Sequence, residues 1–413
     1  MSESAVVHQD EFADSPEQAS FRAAVRAFLA ANAIPYQDKG PWAVNVLSDI
    51  DEGRREFEAG RAWQRTRHRA GMAGFTYPIA YGGQDGEPWQ ERIYQEESFA
   101  YGSTSGFVAA TIAMLGPALM AHGTEVQKRT LLPRLLSGDD AWCQLFSEPG
   151  AGSDLAGLAC RAVRDGDEFV VNGQKVWNSA AQFCDHGFLL VRTNPDVPKH
   201  RGITFLLVDM RSPGIEARPL VQATGSAHFN EVFLTDVRVP VANVLGDIDG
   251  GWAVARLVMS NESALIGGGG SRSYPSLVLL AQQFGRIDDP LARQGLADVY
   301  ARELILRLLG ERILTAVRRR ERPPVDPSIL KLFATGSKIR VGDLAAAIAG
   351  AHGMLASDEV GRWVGHEVMS RYGISIGGGT TEVQLNNLAE RALGLLKEPI
   401  NDREAPWSAL PRG

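Results

Sequence analysis

The 413-residue chain is longer than one hydrophobic core usually supports, so two or three domains are expected. Its 44% apolar and 22% charged residues are those of a folded globular protein, and a formal net charge of -7 with dispersed cations excludes the electrostatic footprint of a nucleic-acid binder. Cys143, Cys160 and Cys184 form no C-x-x-C pair, which argues against a disulfide framework or a zinc knuckle and fits a reducing compartment.

Residues 1–14 are expected to be a flexible terminus. They carry His8, Asp10 and Glu11 where a signal peptide would have a basic start and an apolar run, so a cytoplasmic location is expected. At Ser15-Pro16-Glu17-Gln18 a capping residue, an early proline and a glutamine mark a helix start, and Phe21, Val25, Phe28 and Leu29 then recur at helical spacing. A helical domain is predicted over residues 15–140. Within it, residues 107–121 are uncharged but contain Gly116-Pro117 and fall short of the ~20 apolar residues that span a bilayer, which predicts a buried core helix.

Residues 141–246 change to short β-branched and aromatic runs separated by turn dipeptides, predicting a compact antiparallel β domain. Asn172-Gly173, between Phe169-Val170-Val171 and Gln174-Lys175-Val176-Trp177, predicts a tight hairpin turn. Helical patterning returns after Gly250-Gly251, giving a helical domain over residues 247–400, broken by a proline-rich loop at 323–327 and followed by a tail at 401–413. The one basic cluster, Arg318, Arg319, Arg320 and Arg322, reads as a solvated helix end. Helices, then strands, then helices exclude a TIM barrel or a doubly wound sheet, which need the two in alternation.

Two small-residue segments could hold a ligand. Ser147-Glu148-Pro149-Gly150-Ala151-Gly152-Ser153-Asp154 would let one approach backbone N–H groups and two hydroxyls, or is simply a turn. Gly377-Gly378-Gly379 leads into Thr380-Thr381-Glu382 and a helix, whose N-terminus would favour a phosphate, or Thr380 merely caps it. Rival motifs fail: G-x-G-x-x-G between strand and helix is missing, Ser370 replaces the second histidine after His366-Glu367, and Gly102-Ser103-Thr104-Ser105-Gly106 lacks the elbow serine.

The run Gln144 to Asp154, the segment Asn172 to Ser179, and Phe229-Asn230-Glu231-Val232-Phe233 through Val239-Pro240 resemble the β domain of acyl-CoA dehydrogenases. So do His122-Gly123-Thr124 through Gly138 upstream and Gly378-Gly379-Thr380-Thr381-Glu382-Val383-Gln384 downstream, collinear over about residues 70 to 397. The resemblance implies that family's fold, with an N-terminal helical domain, a middle β domain and a C-terminal domain like a four-helix bundle. It implies FAD as cofactor. Ser147, Trp177 and Ser179 match positions around the flavin ring, Gln144 and Phe146 belong to the same cofactor-binding run, Ser153 matches a position near the CoA chain, and Thr380 with Glu382 matches positions near the FAD pyrophosphate and adenosine. An electron-transfer flavoprotein is the implied acceptor, and a homotetramer or dimer of dimers, or a heteromer, the implied assembly.

The family's common catalytic glutamate, in Y-E-G-T before the last helix, would fall at Gly378 and is absent. A minority of the family places it on an early C-terminal-domain helix, where Glu262 aligns. Helical geometry is compatible: Ala255, Val258, Met259, Leu265 and Ile266 lie within about 60° of Glu262 around a helix of ~3.6 residues per turn. On local sequence alone, Glu262 could equally be a structural partner of a buried arginine. Ser263, Ala281 and Ala347 stand where the family often has arginine, arginine and glutamine, while Gly350 and Gly353 retain the local backbone pattern.

The expected reaction is α,β-dehydrogenation of an acyl-CoA to the trans-2-enoyl-CoA, with Glu262 taking the α proton, flavin N5 accepting the β hydride and the Gly378 backbone N–H holding the thioester oxygen. Two alternatives are a non-catalytic subunit completing a partner's FAD site and a flavin oxidase or monooxygenase on the same fold.

Overall fold

A computed structural model describes residues 14–35, 42, 50–268, 273–318, 321, 328–397, 399 and 404–411. The expected flexible terminus up to residue 13, the prolines at 323–327, and Arg319, Arg320 and Arg322 lie outside the described residues.

The N-terminal helices are α1 (Pro16–Asn32), α2 (Ile50–Arg69), α3 (Pro88–Ser98), α4 (Gly106–His122) and α5 (Glu125–Ser137). The predicted start of α1 is a capping box: the Gln18 backbone N–H donates to Ser15 Oγ at 3.2 Å and the Gln18 side-chain Oε1 accepts from the Ser15 N–H at 3.0 Å. Helix α4 is the expected core helix, with Val108, Leu115 and Leu119 buried. No helix among the described residues is long and apolar enough to cross a membrane.

The seven strands are β1 (Trp142–Leu145), β2 (Arg161–Asp165), β3 (Glu168–Val176), β4 (His186–Arg192), β5 (Ile203–Asp209), β6 (Ile215–Leu220) and β7 (Phe229–Pro240). They run in the order β1-β4-β2-β3-β7-β6, with β5 paired to β4. Pairing is antiparallel except that β4 runs parallel to β1 and, at Arg161 and Arg192, to β2. The runs in β4 and β5 are apolar throughout because both faces are covered. Leu189, Val191, Leu206 and Val208 enter the core inside the β domain, while Phe188, Leu190, Phe205 and Leu207 face the core shared with α4, α5 and the first helix after the sheet.

The hairpin expected at Asn172-Gly173 is not formed. Strand β3 runs straight through it, and the register against β7 slips between Val171 and Gly173, a bulge. The turn lies one step earlier, where Asp165 pairs with Glu168 across Gly166-Asp167. Gly166 has φ 62°, the conformation that the first position of a primed turn demands. Gly173 serves a different need, since a Cβ there would lie 2.7 Å from the Cys160 side chain.

The C-terminal helices are α6 (Gly251–Gly268), α7 (Ser273–Gln283), α8 (Pro290–Arg318), α9 (Ser328–Ala349), α10 (Glu359–Ser370) and α11 (Thr381–Arg391). Four of them, α7 to α10, close around Leu277, Leu280, Leu296, Val341, Ile348, Trp363 and Val364. Helix α6 instead packs against α4, β5 and α9, and so joins the β domain to the helical domain. The apolar face predicted for α6 holds at Ala255 and Val258, both buried, but Leu265 is 41% exposed. The side chain of Ile266 lies outside the described residues.

Candidate active site

The loop after β1 is built on a buried ion pair that the sequence reading did not pick out. Lys175 of β3 is fully buried, and its Nζ donates to Glu148 Oε1 at 2.7 Å and to the Phe146 carbonyl at 3.0 Å. Glu148 also accepts the backbone N–H groups of Ala159 and Cys160 at 2.7 and 2.9 Å. A buried charge is tolerated when its hydrogen bonds are met in this way. The pair fixes the chain on either side of Ser147, whose carbonyl accepts the Val176 N–H at 2.9 Å. Phe146 is buried edge-on to Phe188 and Phe205 and so anchors the loop from below.

Trp177 follows β3 with φ 64° and an indole 60% exposed, edge-on to Phe229 at 6.0 Å. A bulky residue at positive φ costs conformational energy, and a large aromatic on the surface forgoes burial; together they mark a prepared platform. The hydroxyls of Ser147 and Ser179, half-buried on either side of this segment, have no hydrogen-bond partner among the described residues. Asn178, between Trp177 and Ser179, donates from Nδ2 to the Gln144 carbonyl at 2.8 Å, tying the platform to β1.

Glu262 of α6 reaches this structure from the other side. Gln144 Nε2 donates to Glu262 Oε2 at 3.2 Å, and the carboxylate lies beside the Gly378 backbone N–H, which favours its charged form. Burial pushes the Glu262 carboxyl above the ordinary glutamate value, with the Gln144 bond, the nearby Lys331 cation and the Gly378 N–H opposing that shift. The structure therefore brings Gln144, Glu262 and Gly378 into one cluster. Among the described residues no arginine is paired with Glu262.

Gly378 and Gly379 have φ 66° and 90°, which side chains other than glycine adopt at a cost. Their turn delivers the chain to α11, where Thr380 is the N-cap and its Oγ1 accepts the Val383 N–H at 3.3 Å. Capping leaves the hydroxyl proton free to donate. Glu382 is exposed on the first turn of α11, and Ser153 is exposed on the loop after β1, beside the Asp154–Lys199 ion pair; neither touches the Glu262 cluster.

Ser263 donates from Oγ to the Gly378 carbonyl at 3.1 Å, a bond invisible when the residue is read only as a missing arginine. Ala281 is wholly buried in the α7 to α10 core, with no space for a guanidinium. Ala347 is exposed on α9. Lys331 could have been flagged by its isolation in the apolar run Ile329-Leu330-Lys331-Leu332-Phe333.

An exposed tryptophan at positive φ, with two half-buried hydroxyls that have no partner among the described residues beside it, is a platform suited to a planar heterocycle, and the N-terminus of α11 is of the kind that favours a phosphate. Residues 15–139, 143–237 and 249–393 match the N-terminal, middle and C-terminal domains of acyl-CoA dehydrogenases. The chain belongs to the acyl-CoA dehydrogenase family and is an oxidoreductase of that class.

Among individual proteins, it is similar to the acyl-CoA dehydrogenase IpdE1 of Mycobacterium tuberculosis, with 36% identity over 92% of this chain and 98% of the relative. The solved structure named Tcur3481-Tcur3483 steroid ACAD superposes with a TM-score of 0.74 at 30% identity, covering 94% of this chain and 99% of the other. The ChsE4-ChsE5 complex from Mycobacterium tuberculosis gives a TM-score of 0.73 at 31% identity, covering 94% and 100%.

Proposed function

We propose that the chain catalyses the FAD-dependent α,β-dehydrogenation of an acyl-CoA thioester, with Glu262 as the base that removes the α proton. The observation that carries this reading is a half-buried carboxylate that accepts from Gln144 at 3.2 Å beside the Gly378 turn, where the family's usual base would fall. A base is most effective when its pKa lies toward the operating pH, and desolvation moves Glu262 in that direction.

Bound FAD supplies the two-electron acceptor for the hydride leaving the β carbon, so that the product is the trans-2-enoyl-CoA. Trp177, Ser147 and Ser179 hold its ring, beside Gln144 and Phe146; Thr380 and the N-terminus of α11, with Glu382, face its pyrophosphate and adenosine. Ser153 lies toward the CoA chain. The Gly378 N–H lies beside Glu262; when it takes up a thioester oxygen, the carboxylate loses that stabilising neighbour and becomes more basic as the substrate seats. Acyl-CoA and an electron-transfer flavoprotein are the partners of this reading.

Glycines at 377, 378 and 379 leave open the side from which a glutamate would otherwise press on the α and β carbons, so the substrate is an acyl group branched or ring-bearing near the thioester. A solved relative that is named a steroid ACAD supports a bulky acyl group. Anaerobic titration of the FAD-loaded chain with butyryl-, octanoyl-, isobutyryl- and a ring-bearing acyl-CoA tests this. The expected preference for the branched and ring-bearing thioesters is graded, since one methylene is worth ~1–3 kcal/mol. A clear optimum at octanoyl-CoA would contradict it.

A second reading, in which this chain shares its FAD site with a different chain, is favoured by alanine at 281 and by the two-component names of solved relatives. It predicts that the chain expressed alone retains no FAD at micromolar concentration.

A further inference from the structure

Lys331 of α9 is 1% exposed and forms no contact with a carboxylate oxygen of the described residues; Nζ donates instead to the Ile374 carbonyl at 2.6 Å and to the Gly379 carbonyl at 3.1 Å. Burying an ammonium is costly unless its donors are met. Here two of the three are spent on carbonyls that bracket the turn presenting Gly378. The carbonyl of Gly378 itself accepts from Ser263 Oγ of α6 at 3.1 Å and from Gln384 Nε2 of α11 at 2.9 Å. A run of three glycines has more backbone freedom than any other tripeptide, and donors from three helices remove it. What remains is a turn with one orientation, held against α6 beside the Glu262 carboxylate.

The charge surroundings of Glu262 are sparse. Helix α4, packed on α6, carries no charged residue except His122 at its C-terminal end, β5 carries only Asp209 at its far end, and the neighbour on β1 is the neutral Gln144. On α6 itself the other ionisable group is Arg256, which does not register at Glu262. Helix α9, also packed on α6, carries Lys338, Arg340 and Asp343, paired with Glu367, Asp298 and Arg371, and Lys331, the cation near Glu262; Lys331 and Glu262 favour each other's charged forms.

We propose that Lys331 is a positioning residue of the active site: it locks the Gly378 turn so that its N–H faces the reacting groups, and its ammonium is the counter-charge of the Glu262 carboxylate. This rests on the reading of Glu262 as the base. The lysine touches neither the carboxylate nor, through its buried Nζ, the cleft, so it acts through the turn and through its field.

Lys331→Met removes the charge and both hydrogen bonds at similar length, and Lys331→Gln removes the charge but keeps a donor. In both, the acid limb of the anaerobic flavin-reduction rate should move upward by about one pH unit, because loss of a nearby cation disfavours the carboxylate. The rate itself should fall at least ~10-fold in Lys331→Met, with little change in the affinity for acyl-CoA. Lys331→Arg should keep the limb near its wild-type position. The infrared carboxylic-acid band that vanishes in Glu262→Gln gives a readout independent of turnover: in FAD-free protein it should titrate at higher pH in Lys331→Met than in wild type. An unmoved band and limb in folded Lys331→Met or Lys331→Gln would overturn the proposal. So would failure of both neutral variants to fold while Lys331→Arg folds, since the lysine would then serve the fold alone. If the band moves as expected while Glu262→Gln reduces flavin normally, the coupling stands and the assignment of the base fails.

Discussion

Replacing Lys175 by methionine keeps the length of the side chain and removes its charge from the most buried ion pair described in the protein. Two bonds define what is lost. Glu148 keeps the N–H groups of Ala159 and Cys160 but loses its counter-ion at 2.7 Å, and the Phe146 carbonyl loses its donor at 3.0 Å. Removing one partner of a buried pair strands the other, at a cost of about 3–5 kcal/mol. Lys199→Met is the control: its bond to Asp154 has the same length class, 2.8 Å, but the aspartate is 63% exposed, so solvent screening reduces the loss to below ~1 kcal/mol. In a domain of about 100 residues one kcal/mol moves the midpoint by roughly 4–8 °C, so thermal unfolding of the β domain should fall by at least ~12 °C for Lys175→Met and by no more than ~8 °C for Lys199→Met. Binding of FAD to the surviving folded protein should weaken in Lys175→Met, because the ion pair flanks Ser147. Equal and small shifts in the two variants would refute the reasoning that the loop is held by this pair.

The raised pKa of Glu262 fixes the sign of two pH effects: the flavin-reduction rate should fall with decreasing pH through a midpoint above the ~4.3 of an unperturbed glutamate, because only the carboxylate accepts a proton. A carboxyl whose folded-state pKa is raised stabilises the fold below its unfolded pKa and loses that contribution as pH rises through the folded value, so Glu262→Gln should match wild type in denaturant midpoint at low pH and exceed it at pH 8. Gly378→Ala places a side chain at φ 66°, at a cost of about 1–2 kcal/mol, and puts a methyl on the open side of the cleft; kcat/KM for a ring-bearing acyl-CoA should drop several-fold more than for butyryl-CoA. Equal losses with both substrates would separate backbone strain from substrate shape.

Elements whose signal is local were legible in the sequence. The α1 capping box, the buried helix α4 and the apolar strands β4 and β5 each declare themselves within a few residues, and the collinear motifs carried the family. The misread hairpin shows the limit: Asn-Gly suits a tight turn, but Gly173 is required by the close approach of Cys160, a contact 13 positions away in sequence that no local pattern reveals. The cluster at Gln144, Glu262 and Gly378 was named residue by residue, yet the supports under it were not. Lys175 looks like an ordinary surface lysine until the fold buries it, Lys331 stands out only as a lone charge in an apolar run, and Ser263 acquires its bond only because α6 passes beside the Gly378 turn.

Stopped-flow measurement of anaerobic flavin reduction in Glu262→Gln tests the assignment of the base most directly. Glutamine preserves the shape of the side chain and a polar contact with Gln144, so the protein should remain folded and take up FAD. Reduction by acyl-CoA should be slower by at least ~10²-fold, the low end for a positioned general base. A variant that is folded, loaded with FAD and reduced at nearly the wild-type rate would remove Glu262 from the reaction and leave the site without its proposed base.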